Sequence, residues 1–369
     1  MPGSARARLL ARSDLTEDVV AAWRELAERA AEPNPCNEPD FLVPAMRHLP
    51  DGGRARLLVV ERGNSLDACL PVLPVRRWRG KVPVPALVAW THDYQLLGTP
   101  LVDRERAVEA WTAVLRAPWR ARAGAVLLDI EDLGAGGPVA DALQEAAASV
   151  GGAVVSREHH ERAVLARGDG GTALSTGRHK RVRRSRRSLE RAAGPVTVAD
   201  RAGEDGAVER FLALEAAGWK GRAGTALLSD PADAAFFREV CRRFAGAGRL
   251  ELRSLDVPAG PVAMQVALRA GEGVFHFKVA YDEAFRDYSP GVQLLVDFAD
   301  SFAGDGVAFR DSCTAAGNVT ESEVWPDRRS ISTVVAPFAD LPSRAVVAAV
   351  GRLQGRRETS APPAEPAAG

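Results

Sequence analysis

The clearest pattern of hydrophobic and polar positions in this chain lies in residues 274–303. The side chains of 274–281 are bulky, aromatic or β-branched, which predicts a buried β-strand. A helix start is predicted at Ser289, Pro290 and Gly291, because a serine oxygen suits the N-cap and proline suits the first helical position. An apolar stripe at helical spacing then predicts that this helix packs on a sheet; its members are Val292, Leu295, Val296, Ala299 and Phe302.

The same order of elements is predicted twice along the chain. Each half reads as two helices, a β-hairpin, a strand, a loop, a helix and a strand. We therefore predict an internal duplication, with one unit at 13–165 and a second at 166–338. Residues 1–12 are predicted to be disordered, and 339–369 to form a surface helix followed by a disordered tail.

Composition indicates a large soluble protein with ample chain for sizeable cores, and the element order above makes the predicted fold class α/β. The chain has 369 residues, 46% of them hydrophobic, and a formal net charge of zero, which excludes a global attraction to nucleic acid or to an anionic membrane. No apolar run approaches the ~20 residues of a membrane span, and the first residues lack the apolar core of a secretory signal. A cytoplasmic protein is expected.

The four cysteines are scattered, and no spaced ligand set accompanies His159 and His160, so no metal is predicted.

The loop before the helix at residue 290 has the features of an anion site. Free amides of Gly291, Val292 and Gln293 would face outward, and the helix dipole would add to the attraction for a phosphate. The alternative is an ordinary capped helix with no ligand. In the first half the corresponding position is Asp103, whose carboxylate would repel phosphate. A phosphate-bearing cofactor is therefore predicted to bind to the second unit. The first unit is predicted to act as a scaffold and to form one wall of the substrate site.

The densest positive charge lies between the two units, in residues 177–194. Eight cations surround only Val182 and Leu189, which predicts a thinly anchored basic helix; they are Arg178, Lys180, Arg181, Arg183, Arg184, Arg186, Arg187 and Arg191. Three interpretations stay open: a solvated face, a contact for a phosphate-bearing cofactor or an anionic substrate, and a nucleic-acid contact. No aromatic residue is interleaved, so base stacking has no support.

Several blocks of the chain resemble a known family. They are EAAGWKG at 215–221, KVAYDEAFRDYSPG at 278–291, Asp311 at the end of VAFRD, and Glu-Val-Trp at 323–325. Together they resemble the CelD/BcsL-type acetyltransferases of cellulose and exopolysaccharide biosynthesis, within the GNAT superfamily, over about residues 15–338. The resemblance implies two tandem GNAT-like units with mixed central sheets flanked by helices. It also implies acetyl-CoA or another acyl-CoA as the donor.

Acyl transfer from a thioester needs a neutral amine, which a base can supply, and a hydrogen-bond donor for the developing oxyanion; some enzymes also need an acid for the leaving thiolate. By resemblance, the backbone near Ala280 lies closest to the thioester. The candidate bases are Glu215 and Asp311, with the alternatives that Glu215 only pairs with Lys220 or Arg222 and that Asp311 caps a turn. The candidate acids are Tyr281 and Tyr288, either of which could instead be a packing residue.

Lys278 is also assigned to the catalytic set, because a lysine inside an apolar strand needs a partner. Asp311 on the adjacent strand or a bound anion is the expected partner, and His276 is expected on the same face as Lys278. Trp219, Lys220 and Tyr288 are predicted to contact substrate. Ala280, Ser289, Pro290, Gly291, Val292 and Gln293 are predicted to contact the cofactor.

The resulting prediction is an acyltransferase that moves an acyl group from acyl-CoA to an amine held between the units. The acceptor would be an amino sugar, a polysaccharide precursor or a natural-product amine, and no DNA partner is expected. Two alternatives stay open. One is a Fem-like transferase that takes an aminoacyl group from tRNA, and the other is a non-catalytic GNAT scaffold within a polysaccharide or pathway complex.

Overall fold

The computed structural model describes residues 4–167, 175–304, 306–315 and 317–360. The first half carries the expected alternation of helices and strands. Its elements are β1 Arg6–Leu10, α1 Glu17–Glu28, α2 Pro39–His48, β2 Arg56–Arg62, β3 Ser65–Val75, β4 Ala86–Ala89, β5 Leu101–Val102, α3 Ala107–Leu115, β6 Leu127–Gly134, α4 Pro138–Ser149 and β7 Val155–Ala166.

The second half follows the same order after one additional helix. Its elements are α5 Thr176–Ala193, β8 Thr197–Asp200, α6 Ala207–Ala217, α7 Trp219–Arg222, α8 Pro231–Gly246, β9 Leu250–Val257, β10 Gly260–Ala270, β11 Gly273–Tyr281, α9 Pro290–Ser301, β12 Phe309–Asp311, α10 Thr320–Val324, β13 Asp327–Pro337 and α11 Leu341–Ser360. The helix that precedes this order is α5, which contains the basic run, the cations of residues 177–194. The short α7 and the final α11 also have no counterpart among the described residues of the first half.

The strands form one mixed sheet, in the order β1-β2-β3-β4-β6-β13-β7-β12-β11-β10-β9-β8, with β5 paired to β3. In the first half β1 to β4 are antiparallel neighbours and β4 is parallel to β6. In the second half β8 to β11 are antiparallel neighbours and β11 is parallel to β12. Element order and strand pairing therefore repeat together, as the internal duplication predicts.

The two halves exchange their last strands. β13 pairs antiparallel with β6 and β7, and β7 pairs antiparallel with β13 and β12. Each last strand thus covers a strand edge that the other half would leave open. The central sheets expected for two separate units are consequently one continuous 13-stranded sheet.

The amino-terminal prediction needs correction. The sequence predicts disorder over residues 1–12, but Arg6–Leu10 forms the edge strand β1, with Ala7 opposite Val60 and Leu9 opposite Leu58. Ala7 and Leu10 are buried. A short segment of this kind becomes ordered because a long-range partner strand pairs with it, and its own sequence does not reveal that partner. The end of the predicted tail, 361–369, lies outside the described residues.

A shared hydrophobic core joins the halves. The Phe41 ring on α2 lies 5.3 Å from the Phe236 ring on α8 and 5.5 Å from the Phe277 ring on β11. On the other side of the sheet, α9 packs against β9 to β11 through the predicted stripe, together with the buried residues Leu294 and Phe298. None of the described helices combines the length and apolar composition that a bilayer span requires.

Candidate functional site

Two parallel strands separate at the centre of the second half. β12 pairs with β11 only through Gly273, Val274 and Phe275. Beyond Phe275, β11 continues to Tyr281 with β10 on one side and no strand of the described chain on the other. This part of β11 therefore presents backbone amides and carbonyls that are not used in the sheet.

A β-bulge changes the direction of the side chains on this free strand end. Lys278 lies opposite Val266 and His276 opposite Ala267, so Phe277 is an additional residue on β11. The prediction that His276 and Lys278 share a face is wrong for this reason. His276 packs between Phe298 and Trp325, with ring centres at 4.9 and 4.7 Å. Burial, reinforced by the charge of Arg310, lowers its pKa well below the usual value, which describes a neutral core histidine.

A cleft of about 490 Å³ lies between the free end of β11 and the start of α9; we name it the β11–α9 cleft. Val279 and Tyr281 line one wall, and Ser289, Pro290, Gly291 and Val292 line another. Trp219 stands at its edge, 53% exposed. Four predicted cofactor contacts, one predicted substrate contact and one predicted acid thus lie around the same cavity.

The start of α9 has a different geometry from the predicted N-cap. Ser289 has a left-handed backbone (φ 50°, ψ 54°), and its side chain caps no amide. The amide of Gln293 donates to the carbonyl of Ser289 at 3.1 Å, so this amide is not free as predicted. In the described chain, the amides of Gly291 and Val292 have no protein acceptor, and a Cβ on Gly291 would meet no atom within 4 Å. Two amides at a positive helix end therefore face open space, an arrangement that suits a phosphate.

Two other predicted site residues of this region, Tyr288 and Ala280, make contacts within the fold. Tyr288 does not line the β11–α9 cleft; its carbonyl accepts from Ser185 Oγ at 2.6 Å and from Gln293 Nε2 at 2.9 Å. Ala280 is buried on the opposite face of β11 from Tyr281, in the core shared with the first half. Its contribution to the cleft is thus limited to its backbone.

Glu215 is engaged with neighbouring groups. Its Oε1 accepts from Lys220 Nζ at 2.9 Å and its Oε2 from the amide of Leu227 at 2.9 Å. Lys220 Nζ also lies 3.5 Å from the carbonyl of Val279 on the free edge of β11. For Glu215 the alternative to a catalytic base is an ion pair with Lys220, and the structure contains this pair. The pair ties the segment after α6 to β11, next to the cleft.

Asp311 is buried away from the cleft, which contradicts its predicted role as a base. Its Oδ2 lies 2.7 Å from Arg162 Nη2 on β7 and 3.1 Å from Arg329 Nη1 on β13. Burial would raise the pKa of Asp311, but the charges of Arg162 and Arg329 outweigh this effect and hold the pKa below its usual value. A carboxylate held between two arginines is a structural ion pair at the junction of the exchanged strands.

Lys278 has a different partner from the predicted Asp311. Its Nζ lies 4.5 Å from the ring centre of Tyr94, in the loop after β4 of the first half. Burial, together with the charge of Lys220, lowers the pKa of Lys278 to about 8, although Glu215, Asp233 and Asp93 act in the opposite direction. Lys278 therefore lies on the face of β11 opposite to Val279 and Tyr281, between the two halves.

Sequence reasoning missed residues that only the fold brings to the site. Tyr94 is one of them. Glu321, on α10, lines the β11–α9 cleft. Its Oε2 has no hydrogen-bond partner among the described residues, and burial raises the pKa of its carboxyl above the usual value. No sequence signal marks either residue, because both come from segments far along the chain from β11. The described residues contain no cluster of His, Cys, Asp or Glu side chains that could hold a metal ion.

Comparison with known proteins shows which domain the second half resembles. Residues 176–318 match the family model described as an acetyltransferase (GNAT) domain. The sequence matches no curated protein. Among solved structures, FemX is 12% identical, with 87% of this chain and 94% of that chain covered and a TM-score of 0.57. A conserved protein of unknown function from Bacteroides thetaiotaomicron VPI-5482 is 12% identical, with 86% and 97% covered and a TM-score of 0.56.

The C-terminal domain of a putative lysylphosphatidylglycerol synthetase from Agrobacterium fabrum is 14% identical, with 90% of this chain and 96% of that chain covered and a TM-score of 0.54. These TM-scores, all above 0.5, show a shared fold. Residues 176–318 are thus similar to a GNAT-type acetyltransferase domain, and the predicted α/β fold class is confirmed. The narrower resemblance to the CelD/BcsL type stays a prediction.

Proposed function

We propose that the protein is an N-acyltransferase that moves an acetyl or longer acyl group from acyl-CoA to an amine. One observation carries this proposal: a single cavity joins the free edge of β11 to the unbonded amides of Gly291 and Val292. An acyl-CoA has a phosphate group at one place and a thioester carbonyl at another. The cleft offers backbone donors for both.

The donor would lie with its pyrophosphate at the start of α9 and its thioester along the free end of β11. Amides of the strand near Ala280 would stabilise the negative charge that develops on the carbonyl oxygen. The amine nitrogen attacks the carbonyl carbon, the C–S bond breaks, and the thiolate takes up a proton. Tyr281 is the candidate donor of that proton, because it is the predicted acid that lines the cleft.

The acceptor amine would approach from the other face of β11, between the halves. Lys278 and Tyr94 meet there, and Asp93 and Asp233 contribute negative charge near the ammonium group. A lysine with a pKa of about 8 is partly neutral near pH 7.5, so it could take a proton from the acceptor's ammonium group and leave the neutral amine that attacks. The resemblance implies three acceptor classes: an amino sugar, a polysaccharide precursor or a natural-product amine. Each would supply the amine group that approaches Lys278.

Calorimetric titration with acetyl-CoA and a longer acyl-CoA tests the donor. We expect saturable binding that Gly291→Asp abolishes, because the new carboxylate adds bulk and negative charge at the phosphate position. Gly203→Asp is the matched control, since a Cβ on Gly203 would also meet no atom within 4 Å and this residue does not line the cleft. Unchanged affinity in Gly291→Asp would refute the placement. No heat with any acyl-CoA would refute the donor and favour the Fem-like or scaffold alternatives.

A further inference from the structure

The exposed side of α5 carries an array of cations that the proposed acyl transfer does not use. Five side chains surround a shallow hollow of about 490 Å³: Lys180, Arg183, Arg184, Arg187 and Arg191. We name these five residues the α5 basic face. Within the described part of the chain none of the five forms an ion pair, and the one side-chain partner among them is Ser188, which accepts from Arg191 at 3.0 Å.

The opposite side of α5 attaches the helix to the second half. Leu189 is buried, Val182 packs on the same core, and Ser185 Oγ donates to the carbonyl of Tyr288. At about 100° per residue, positions 182, 185 and 189 lie on one side of a helix, and the α5 basic face lies on the other. The cations are therefore held on an anchored helix and point away from the β11–α9 cleft.

Nearby acidic residues are engaged with other members of the basic run. Glu323 lies 3.0 Å from Arg178, Asp300 lies 3.5 Å from His179, and Glu190 lies 4.0 Å from Arg186. The α5 basic face thus concentrates positive charge on a chain whose formal net charge is zero. Such a local field attracts an extended polyanion more strongly than a small anion.

We propose that the α5 basic face is a docking surface for the phosphodiester backbone of a nucleic acid strand. From Lys180 to Arg191 the helix rises about 16 Å at 1.5 Å per residue, and one strand carries one phosphate charge per about 3.4 Å in helical geometry, so about five phosphates span the same length. Four of the five cations are arginines, whose planar fork binds phosphate oxygens in pairs. No aromatic side chain accompanies them, so the contact reads the backbone without preference for base sequence.

Two other partners fit the same face less well. A helix that inserts into a lipid surface needs large apolar side chains beside its cations, and the exposed positions of this face have none. The phosphates of acyl-CoA belong to the cleft on the other side of α5. Nucleic acid and acyl-CoA are therefore expected to bind independently.

Fluorescence anisotropy of the full chain with labelled 20-nucleotide poly(U) and oligo(dT) tests the proposal. Contact of all five cations with a single strand predicts a slope of log affinity against log salt of about −3.5. The triple variant Arg183→Gln, Arg184→Gln, Arg187→Gln should bind at least about tenfold more weakly, with the slope reduced in magnitude by about 2. The matched control replaces three exposed cations between β3 and β4, Arg76→Gln, Arg77→Gln and Lys81→Gln, and should leave affinity unchanged.

Circular dichroism verifies that the variants are folded. Tighter binding of poly(U) would indicate that the partner is RNA, and equal affinity would indicate that RNA and DNA strands both bind. Both results support the proposal. It is overturned if neither strand binds at 50 mM salt, if the triple variant binds like the control, or if phosphatidylserine vesicles bind more tightly than either strand. Acetyl-CoA affinity of the triple variant should equal that of the unsubstituted protein, so failure of the donor proposal would be seen separately.

Discussion

The ammonium nitrogen of Lys278 lies 4.5 Å from the ring centre of Tyr94, and this contact connects the free end of β11 to the first half of the chain. The bulge at Phe277 places Lys278 on the face of β11 opposite His276, and regular alternation after the bulge keeps it opposite Val279 and Tyr281. One strand end thus presents two different surfaces. One faces the β11–α9 cleft and the other faces the gap between the halves.

The lowered pKa of Lys278 can be measured directly. We expect NMR of the Nζ group to give a pKa near 8. Tyr94→Ala should move the pKa toward 10.5, because burial is the largest cause of the shift and the smaller side chain admits water. A pKa near 10.5 in the unsubstituted protein would contradict the burial of this amine. Lys81→Met, at an exposed site, is the control for resonance assignment.

The same shift predicts the pH dependence of stability. Because the folded pKa of Lys278 lies below its unfolded value, the unfolded chain binds more protons between about pH 8 and 10.5. The contribution of Lys278 to the free energy of unfolding should therefore rise with pH over this interval. Urea unfolding at several pH values should show the rise, and Lys278→Met should lack it. Equal slopes in both proteins would contradict the prediction.

Tyr281 and Tyr288 are equivalent candidates in the sequence, and the structure separates them. Tyr281 lines the β11–α9 cleft, and Tyr288 does not. If Tyr281 protonates the leaving thiolate, Tyr281→Phe should lower kcat by about 10²-fold or more with little change in KM for acyl-CoA. Tyr288→Phe should retain kcat. Thiol release from acetyl-CoA with a panel of primary amines measures both, and equal losses would contradict the assignment.

Glu321 should make donor binding depend on pH. Its carboxyl lines the cleft, and burial raises its pKa above 4.5, so the group becomes negative only above that raised pKa. Deprotonation then repels the donor phosphates, and affinity for acetyl-CoA should fall as pH rises. Glu321→Gln should bind more tightly at pH 7 and lose this dependence. Calorimetry over pH 5 to 8 measures both, and a parallel pH profile in the two proteins would contradict the prediction.

The Asp311 ion pair should be a large contributor to stability. Asp311→Asn leaves the buried Arg162 without a carboxylate, while Arg329 keeps Glu32 at 3.1 Å. Breaking a buried pair costs about 3–5 kcal/mol. Since the folded pKa of Asp311 is lowered, its contribution is present above the unfolded pKa and is lost as pH falls through the folded value. Glu209→Gln breaks the exposed pair with Arg238 and should cost less than about 1 kcal/mol. Chemical unfolding compares the two, and similar costs would contradict the prediction.

Local patterns predicted the elements around the site well. The strand expected at 274–281 is β11 at Gly273–Tyr281, the helix expected from Pro290 begins there, and the basic run is one helix. These features depend on residues close together in sequence. Apolar runs, a proline at the first helical position and few turn formers are sufficient to predict them.

What the sequence did not reveal depends on distant partners. Arg162 is 149 residues from Asp311, and no local pattern indicates that these two side chains meet. The bulge at Phe277 follows from pairing with β10, so the alternation rule alone placed His276 and Lys278 incorrectly. Likewise, β1 is ordered by β2, about fifty residues further along the chain.

The exchange of β7 and β13 also has a consequence for how the chain folds and how it can evolve. Both neighbours of β7 belong to the second half, and both neighbours of β13 belong to the first. A fragment that ends after β7 would leave this strand unpaired on both edges, so neither half is expected to be a stable protein when expressed alone. Pairing across so long a stretch of chain also predicts slow folding. Recombination that replaced one half by a foreign copy would have to supply a fitting last strand, and we therefore expect the two halves to be inherited together.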